Sequence, residues 1–192
     1  QFMHIDWKHN EIRFKVVYYG PGLGGKTTNL EYIYGSLDPE RRGKLISFKT
    51  REERTMYFDF MPLSLGPIDG KRPRFDLYTV PGQQHYGYGR KLVIHGADVI
   101  VFVADSQIDR RADNINSLKE LTQLLNTQGL TLGQVPWLLQ YNKRDLNNID
   151  SIQTLQSHLN RQHVPFFEAS AIKGKGVMET LKLAIKCAVE YA

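Results

Sequence analysis

Short apolar segments with the character of buried strands alternate along this chain with segments of helical periodicity. Six runs are predicted to be strands: Ile12–Tyr19, Thr55–Leu65, Pro73–Val80, Asp98–Asp105, Val135–Asn142 and Val164–Glu168. Several are unbroken in Val, Ile, Leu and Phe, which is typical of strands buried on both faces. Apolar residues recur at helical spacing, such as i, i+3, i+4 and i+7, in residues 30–37, 115–125 and 177–188. The alternation predicts an α/β fold with a six-stranded, mostly parallel sheet and helices on both faces.

One connection departs from this alternation. No helical pattern separates Thr55–Leu65 from Pro73–Val80, and Pro67, Gly70 and Pro73 mark a tight reversal there. These two strands are therefore predicted to pair antiparallel. The segments Asp38–Arg51, Gly66–Arg74 and Pro81–Gly89 read as loops. We expect a single domain over residues 11–192, preceded by an N-terminal extension over residues 1–10.

Composition narrows the class of protein. The 192 residues include one cysteine, which excludes an internal disulfide framework and is typical of a reducing, cytoplasmic compartment. The longest apolar run, Val99–Ala104, has only the length of a strand, so we expect no integral membrane segment, and Cys187 does not lie in a lipid-anchor motif. The net charge is +5, but no nucleic-acid-binding motif accompanies it, so we expect no nucleic-acid partner.

The first predicted strand runs directly into a glycine-rich loop and then into a helix. Residues 20–27 read GPGLGGKT, which is the G-x-x-x-x-G-K-[ST] phosphate loop in its required strand, loop and helix context. Glycines allow backbone N–H groups to turn inward around phosphate oxygens, and the helix N-terminus adds to the attraction. Lys26 is expected to reach the β and γ phosphates, and the Thr27 hydroxyl to bind Mg²⁺.

Two further motifs follow later strands. Asn142-Lys143-Arg144-Asp145 ends one strand, and Ser170-Ala171 follows the next. In this order, after a phosphate loop, they resemble the base-recognition pair of Ras-like small GTPases. The Asp145 carboxylate can accept from two neighbouring N–H donors of guanine, whereas adenine presents an acceptor there, which favours GTP over ATP. Asn142 can tie the loops together, Lys143 can lie along the base, and the Ala171 N–H can donate to the guanine oxygen.

A third motif, residues 79–83 (TVPGQ), ends the strand Pro73–Val80. Ras-like proteins mostly have Asp-x-x-Gly-Gln here, so Gly82 matches the glycine that meets the γ-phosphate and Gln83 matches the glutamine that orients the attacking water. Thr79 departs from this pattern. Its hydroxyl can bond to a metal-bound water but supplies no negative charge, which leaves the hold on Mg²⁺ without a carboxylate.

This departure, together with the runs FKVVYYGPGL at residues 14–23 and ERTMYFDF at residues 53–60, resembles the MglA group of prokaryotic small GTPases. The similarity covers nearly the whole chain from Glu11. It implies a switch that binds GTP or GDP with Mg²⁺ and hydrolyses GTP slowly, in control of cell polarity or motility. It also implies effector proteins and a dimeric Roadblock-type activator, MglB.

Within that resemblance, Asp38–Thr55 corresponds to the first switch segment. Thr55 is its matching threonine, with Thr50 competing on spacing, and Arg54 matches a built-in arginine finger. The expected catalytic residues are Lys26, Arg54 and Gln83, and the expected Mg²⁺ ligands are Thr27 and Thr55. The expected nucleotide contacts are Gly20, Gly22, Leu23, Gly24, Gly25, Lys26, Thr27, Thr28, Thr55, Gly82, Asn142, Lys143, Asp145, Ser170, Ala171 and Ile172.

Alternatives remain at this point. Residues 40–54 carry six basic and three acidic side chains, a net charge of +3 that suits either phosphate attraction or an acidic partner. Thr79 leaves open a nucleotide-binding scaffold with negligible turnover, whose output is protein association, whereas Gln83 and Arg54 favour turnover. A P-loop ATPase or kinase is a further reading, which Asp145 opposes.

Overall fold

The computed structural model describes residues 4–6, 11–49, 55–67, 70–80 and 87–191. Its strands are β1 (His4–Asp6), β2 (Glu11–Tyr19), β3 (Ile46–Lys49), β4 (Thr55–Ser64), β5 (Arg72–Thr79), β6 (Val99–Asp105), β7 (Trp137–Asn142) and β8 (Phe166–Glu168). Its helices are α1 (Lys26–Ser36), α2 (Gly87–Ile94), α3 (Arg111–Asn126), α4 (Ile152–Leu159) and α5 (Val177–Glu190). In this part of the chain, no helix has the length and apolar character needed to cross a bilayer.

Seven strands follow one another across the sheet in the order β3-β4-β5-β2-β6-β7-β8. Along the run β5-β2-β6-β7-β8, each pair of neighbours is parallel. The pairs β3 with β4 and β4 with β5 are antiparallel. β1 pairs antiparallel with the first residues of β2, where His4 lies opposite Arg13. The predicted α/β class is therefore confirmed, together with the predicted antiparallel pairing of β4 with β5.

The sheet has two strands more than the six predicted. β1 is only three residues long and lies within the predicted extension 1–10, and β3 lies within Asp38–Arg51, which was predicted to be a loop. β3 is an edge strand of four residues, and among the described strands it pairs with β4 alone. β1 is shorter than the roughly four to eight residues over which alternation marks a strand, and β3 has only about the minimum length.

Helices cover both faces of the sheet, as predicted. α1 and α5 pack on one face, through Leu30 and Ile33 of α1 and Leu181 of α5. The helices α2, α3 and α4 pack on the other, where Leu121 and Leu155 are fully or nearly fully buried. The interior strand β6 is buried at all seven of its positions, which explains why its first six residues are all apolar.

The topology brings the polar motifs to one edge of the sheet. The carboxyl ends of β2, β5, β6, β7 and β8 meet there because these strands are parallel, and ligands bind outside such ends in α/β sheets. Because β4 runs antiparallel to β5, the first half of β4 lies beside the end of β5. Asp59 of β4 is thereby placed next to Thr79.

Candidate active site

Two glycines of the loop between β2 and α1 have backbone positions that no other residue could occupy without strain. Gly20 has φ 145° and Gly25 has φ 102°. A Cβ on Gly20 would lie 2.2 Å from the carbonyl oxygen of Val103, and one on Gly25 would lie 2.1 Å from Nδ2 of Asn142. The loop therefore passes directly against β6 and against the end of β7. This close approach supports the interpretation of residues 20–27 as a phosphate loop.

Lys26, the first residue of α1, is buried beneath this loop. Its ammonium donates to the carbonyl oxygens of Gly20 at 2.9 Å and of Pro21 at 2.7 Å, so it spans the loop from below. Burial lowers the pKa of Lys26 to about 7, while the Asp59 carboxylate opposes this shift and Arg90 and Arg110 add to it. A bound anion would stabilise the protonated form, so Lys26 is suited to bind phosphate.

A carboxylate that the sequence analysis had assigned no role lies at the centre of the site. Asp59 is fully buried, and its Oδ2 accepts hydrogen bonds from the hydroxyls of Thr27 at 2.6 Å and of Thr79 at 2.8 Å. The Asp59 N–H donates in turn to Thr79 Oγ1 at 2.9 Å. The negative charge that Thr79 lacks is therefore supplied from the neighbouring strand.

The second oxygen of this carboxylate, Asp59 Oδ1, is buried and accepts no hydrogen bond from the described residues. A buried carboxylate oxygen without a donor is costly, and a cation or its water ligand would satisfy it. Mg²⁺ prefers oxygen ligands and commonly uses one or two protein oxygens together with substrate phosphates. Asp59 and Thr27 fit such an ion, and the described residues contain no cluster of three acidic, His or Cys side chains that would hold a metal by itself.

Asn142 joins the phosphate loop to the loop after β8. Its Nδ2 donates to the carbonyl oxygen of Gly24 at 2.9 Å, and its Oδ1 accepts from the Ala171 N–H at 2.9 Å. The predicted tie between the loops is present. The Ala171 N–H, which was expected to donate to guanine, is bonded to Asn142 instead, because this buried donor needs an acceptor. A base at this position would have to share that donor with Asn142.

Asp145 is held ready as a hydrogen-bond acceptor. The Ser170 hydroxyl donates to Asp145 Oδ1 at 2.8 Å, and Lys173 Nζ lies 3.9 Å from Oδ2. The hydroxyl is the main cause that lowers the pKa of Asp145, so the carboxylate is ionised at neutral pH. Two sequence-predicted residues, Asp145 and Ser170, thus meet across 25 positions of sequence.

Lys143 is fixed by a second buried carboxylate without an assigned role. Its ammonium lies 2.7 Å from Oδ2 of Asp105, which is fully buried at the end of β6. Asp105 also accepts from the backbone and side-chain N–H groups of Gln107. Its only sequence signal was a position at the end of a buried strand.

Of the remaining predicted residues, some lie within the described part of the chain and others lie outside it. Leu23 is 89 % exposed and has φ 61°, the Ile172 side chain is 79 % exposed, and Thr28 lies in the first turn of α1. Thr55 is the first residue of β4. The predictions for Thr50, Arg54, Gly82 and Gln83 lie outside the described residues.

Part of the basic segment 40–54 contacts α1. The Arg42 guanidinium lies 3.6 Å from the ring centroid of Tyr34, and its Nε donates to the Leu37 carbonyl oxygen at 3.1 Å. Arg42 therefore fastens this segment to the end of α1. Arg41 and Lys44 are exposed.

Comparison with known proteins decides the family. The family model described as "Ras family" matches residues 44–190. The chain is also similar to the Mutual gliding-motility protein MglA of Myxococcus xanthus (strain DK1622), with 50% identity over 182 residues, which cover 95% of this chain and 93% of that protein. The chain belongs to the Ras family.

As a Ras-family small GTPase, the protein is a GTP hydrolase, and the predicted family and enzyme class are confirmed. The match to the Ras-family model begins at residue 44, after the phosphate loop, so the interpretation of that loop rests on its own geometry. The structure adds to the family pattern a carboxylate on β4, Asp59, beside the threonine that ends β5.

Proposed function

We propose that this Ras-family chain is a molecular switch that binds GTP or GDP with Mg²⁺, hydrolyses GTP slowly and controls cell polarity or motility. One observation carries the proposal. Beneath a phosphate loop, Thr27 and the buried Asp59 present oxygens side by side, and Asp59 Oδ1 accepts no hydrogen bond from the described residues. Such a pair suits a Mg²⁺ ion that arrives with a triphosphate.

Binding uses both ends of the site. The backbone N–H groups of residues 22–28 and the Lys26 ammonium bind the phosphates, while Asp145 accepts from the guanine N–H donors. Asn142 holds the two halves at a fixed spacing through Gly24 and Ala171. Lys143 is oriented by Asp105 next to the base-recognition loop.

Mg²⁺, when bound, supplies positive charge that neutralises the phosphate oxygens. Thr27, Thr55 and Asp59 are the residues proposed to hold it, Asp59 through its second carboxylate oxygen. Thr79 had left a scaffold without turnover open; the Asp59 carboxylate on β4 offers the charge that Thr79 lacks and thereby supports turnover.

For hydrolysis we assign three residues. Gln83 orients the attacking water, Arg54 places a guanidinium against the charge that develops on the transferred phosphoryl group, and Lys26 stabilises the same oxygens. Thr55 and Gly82 respond to the γ-phosphate, and its loss releases the two switch segments. This release is the change that partner proteins would read.

Partners follow from the similarity to MglA. We propose a Roadblock-type, MglB-like dimer as the activator, separate effector proteins, and a cytoplasmic location without nucleic acid. The exposed cations Arg41 and Lys44 offer a surface for an acidic partner. We assign residues 11–192 to the G domain and 1–10 to an extension that adds the strand β1.

Competition of ATP against fluorescent GDP tests nucleotide class, since an equal affinity for ATP and GDP would remove the role of Asp145. Single-turnover release of phosphate from GTP-loaded protein then tests the catalytic residues. Gln83→Ala and Gly22→Val are expected to retain nucleotide and stall hydrolysis. Unchanged hydrolysis in Gln83→Ala would remove that residue from the mechanism.

A further inference from the structure

Arg110 makes a side-chain contact to the phosphate loop that the function described so far does not use. It ends a short 3-10 helix, Ile108–Arg110, that follows β6. Its Nη2 donates to the carbonyl oxygen of Gly22, 88 residues earlier in the chain. The Arg110 side chain is 27% exposed, so this hydrogen bond is partly shielded from water.

Two carboxylates orient the guanidinium toward that carbonyl. Arg110 Nη1 lies 2.6 Å from Oδ2 of Asp113, and Nε lies 3.7 Å from Oδ2 of the buried Asp105. Asp105 is the carboxylate that also binds Lys143. Nη2 and Nη1 thus bond Gly22 and Asp113, while Nε faces Asp105 in a longer ion pair. A lysine ammonium on a flexible stem does not reproduce this planar arrangement.

The carbonyl that Arg110 binds belongs to the peptide between Gly22 and Leu23, which is trans. In a trans peptide the carbonyl and the following N–H point in opposite directions, so Arg110 directs the Leu23 N–H to the side away from itself. Leu23 has φ 61°, a left-handed conformation that is strained for leucine and typical of backbone nests whose N–H groups bind an anion. Its side chain is 89% exposed and offers no packing that would compensate for this strain.

We propose that Arg110 is a positioning residue that holds the Gly22–Leu23 peptide with its N–H directed at the nucleotide phosphates. Asp105 and Asp113 orient Arg110. Because Asp105 also contacts Lys143, the same carboxylate positions both Lys143 and, through Arg110, the phosphate loop. This inference rests on the proposed function, since it assigns a role within the same nucleotide site. The role concerns binding of the β- and γ-phosphates and not binding of the base.

The test compares two adjacent arginines. Arg110→Gln removes the contact to Gly22, whereas Arg111→Gln makes the same chemical change at a residue that pairs with Asp150, away from the loop. Affinities for GDP and for GMP are measured by calorimetry with each full-length protein, and thermal unfolding without nucleotide reports on folding. We expect Arg110→Gln to lower the affinity for GDP by about tenfold, which corresponds to the loss of one charge-assisted hydrogen bond. The affinity for GMP should change by less than about twofold.

Arg111→Gln is expected to leave both affinities unchanged. Arg110→Lys retains the charge. We expect it to lower the affinity for GDP nearly as much as Arg110→Gln does, because the role depends on the orientation of the guanidinium. Full recovery with lysine, or equal losses for GDP and GMP, would overturn the positioning role. If the wild-type chain bound no GDP, the proposed function itself would fail and this role with it; normal wild-type binding with an unaffected Arg110→Gln would overturn this role alone.

Discussion

Replacing Asp59 with asparagine isolates the charge of the buried carboxylate while its size is kept. In the wild-type chain the Thr27 and Thr79 hydroxyls lie 2.6 and 2.8 Å from Oδ2 of Asp59. The amide oxygen of asparagine can still accept from both hydroxyls. The amide nitrogen then occupies the position of Oδ1 and directs donors at the space assigned to Mg²⁺. We expect the fold to persist, because a neutral amide is less costly to bury than a carboxylate.

The magnitude follows from the number of interactions that lose their charge. A hydrogen bond to a charged group contributes about 1.5–3 kcal/mol, so the loss of one charged contact at Asp59 Oδ1 would correspond to roughly 10- to 150-fold in affinity. The assay is the rate of release of fluorescent GDP against free Mg²⁺ concentration. In Mg²⁺ the Asp59→Asn protein should release GDP at least about tenfold faster than wild type, whereas in excess chelator the two rates should agree within about threefold.

Asp76→Asn is the matched control, since Asp76 lies on β5 and pairs with Arg74 at 2.9 Å instead of facing the site. It should leave the Mg²⁺ dependence unchanged. The double variant Asp59→Asn with Thr79→Asp moves the carboxylate to the position usual in the family and should recover part of the Mg²⁺ effect. If the Asp59→Asn protein released GDP in Mg²⁺ at the same rate as wild type, the role of Asp59 would be refuted.

Three further predictions concern the rest of the site. Burial holds the pKa of free Lys26 near 7 and a bound phosphate raises it, so binding takes up a proton above pH 7. The Kd for GDP, measured by titration in several buffers, should therefore rise toward roughly tenfold per pH unit from pH 7 to 9, and a flat profile would contradict the lowered pKa of Lys26. Gly25→Ala should lower the free energy of unfolding by about 2–4 kcal/mol in chemical denaturation, since its Cβ would meet Asn142, while Gly35→Ala, which has open space in α1, should be neutral or stabilising. Ser170→Ala should reduce the preference for GDP over ATP by about two- to tenfold, because Asp145 loses a hydrogen bond, and an unchanged preference would show that this bond does not orient the carboxylate.

The strands themselves were predictable wherever a strand has enough apolar residues to be recognised. β6 and β7 are nearly continuous apolar runs, β2 alternates before it ends in the apolar run VVYY, and the antiparallel turn before β5 carries its own Pro and Gly signals. Periodicity identified α1, α3 and α5, but not α2 and α4, which have eight residues each. β1 and β3 depend on pairing with a longer neighbour, which short segments do not reveal.

The candidate site was predictable where motifs are local and was missed where contacts are distant. The phosphate loop and the Asn142 to Asp145 motif are contiguous, so their chemistry is visible in sequence. Asp59 acquires its role only because antiparallel pairing brings it to Thr79, 20 positions away. Asp105 likewise meets Lys143 across 38 positions.

The central claim, a slow GTP-hydrolysing switch with its arginine in the same chain, is tested most directly by single-turnover hydrolysis of GTP with and without a Roadblock-type dimer. We predict slow hydrolysis by the protein alone, strong acceleration by the dimer, and loss of most of that acceleration in Arg54→Ala but not in the control Arg161→Ala, an exposed arginine between α4 and β8. The contribution of such an arginine is about 10³–10⁵ in rate. Equal rates with and without the dimer, or full acceleration of Arg54→Ala, would contradict the account.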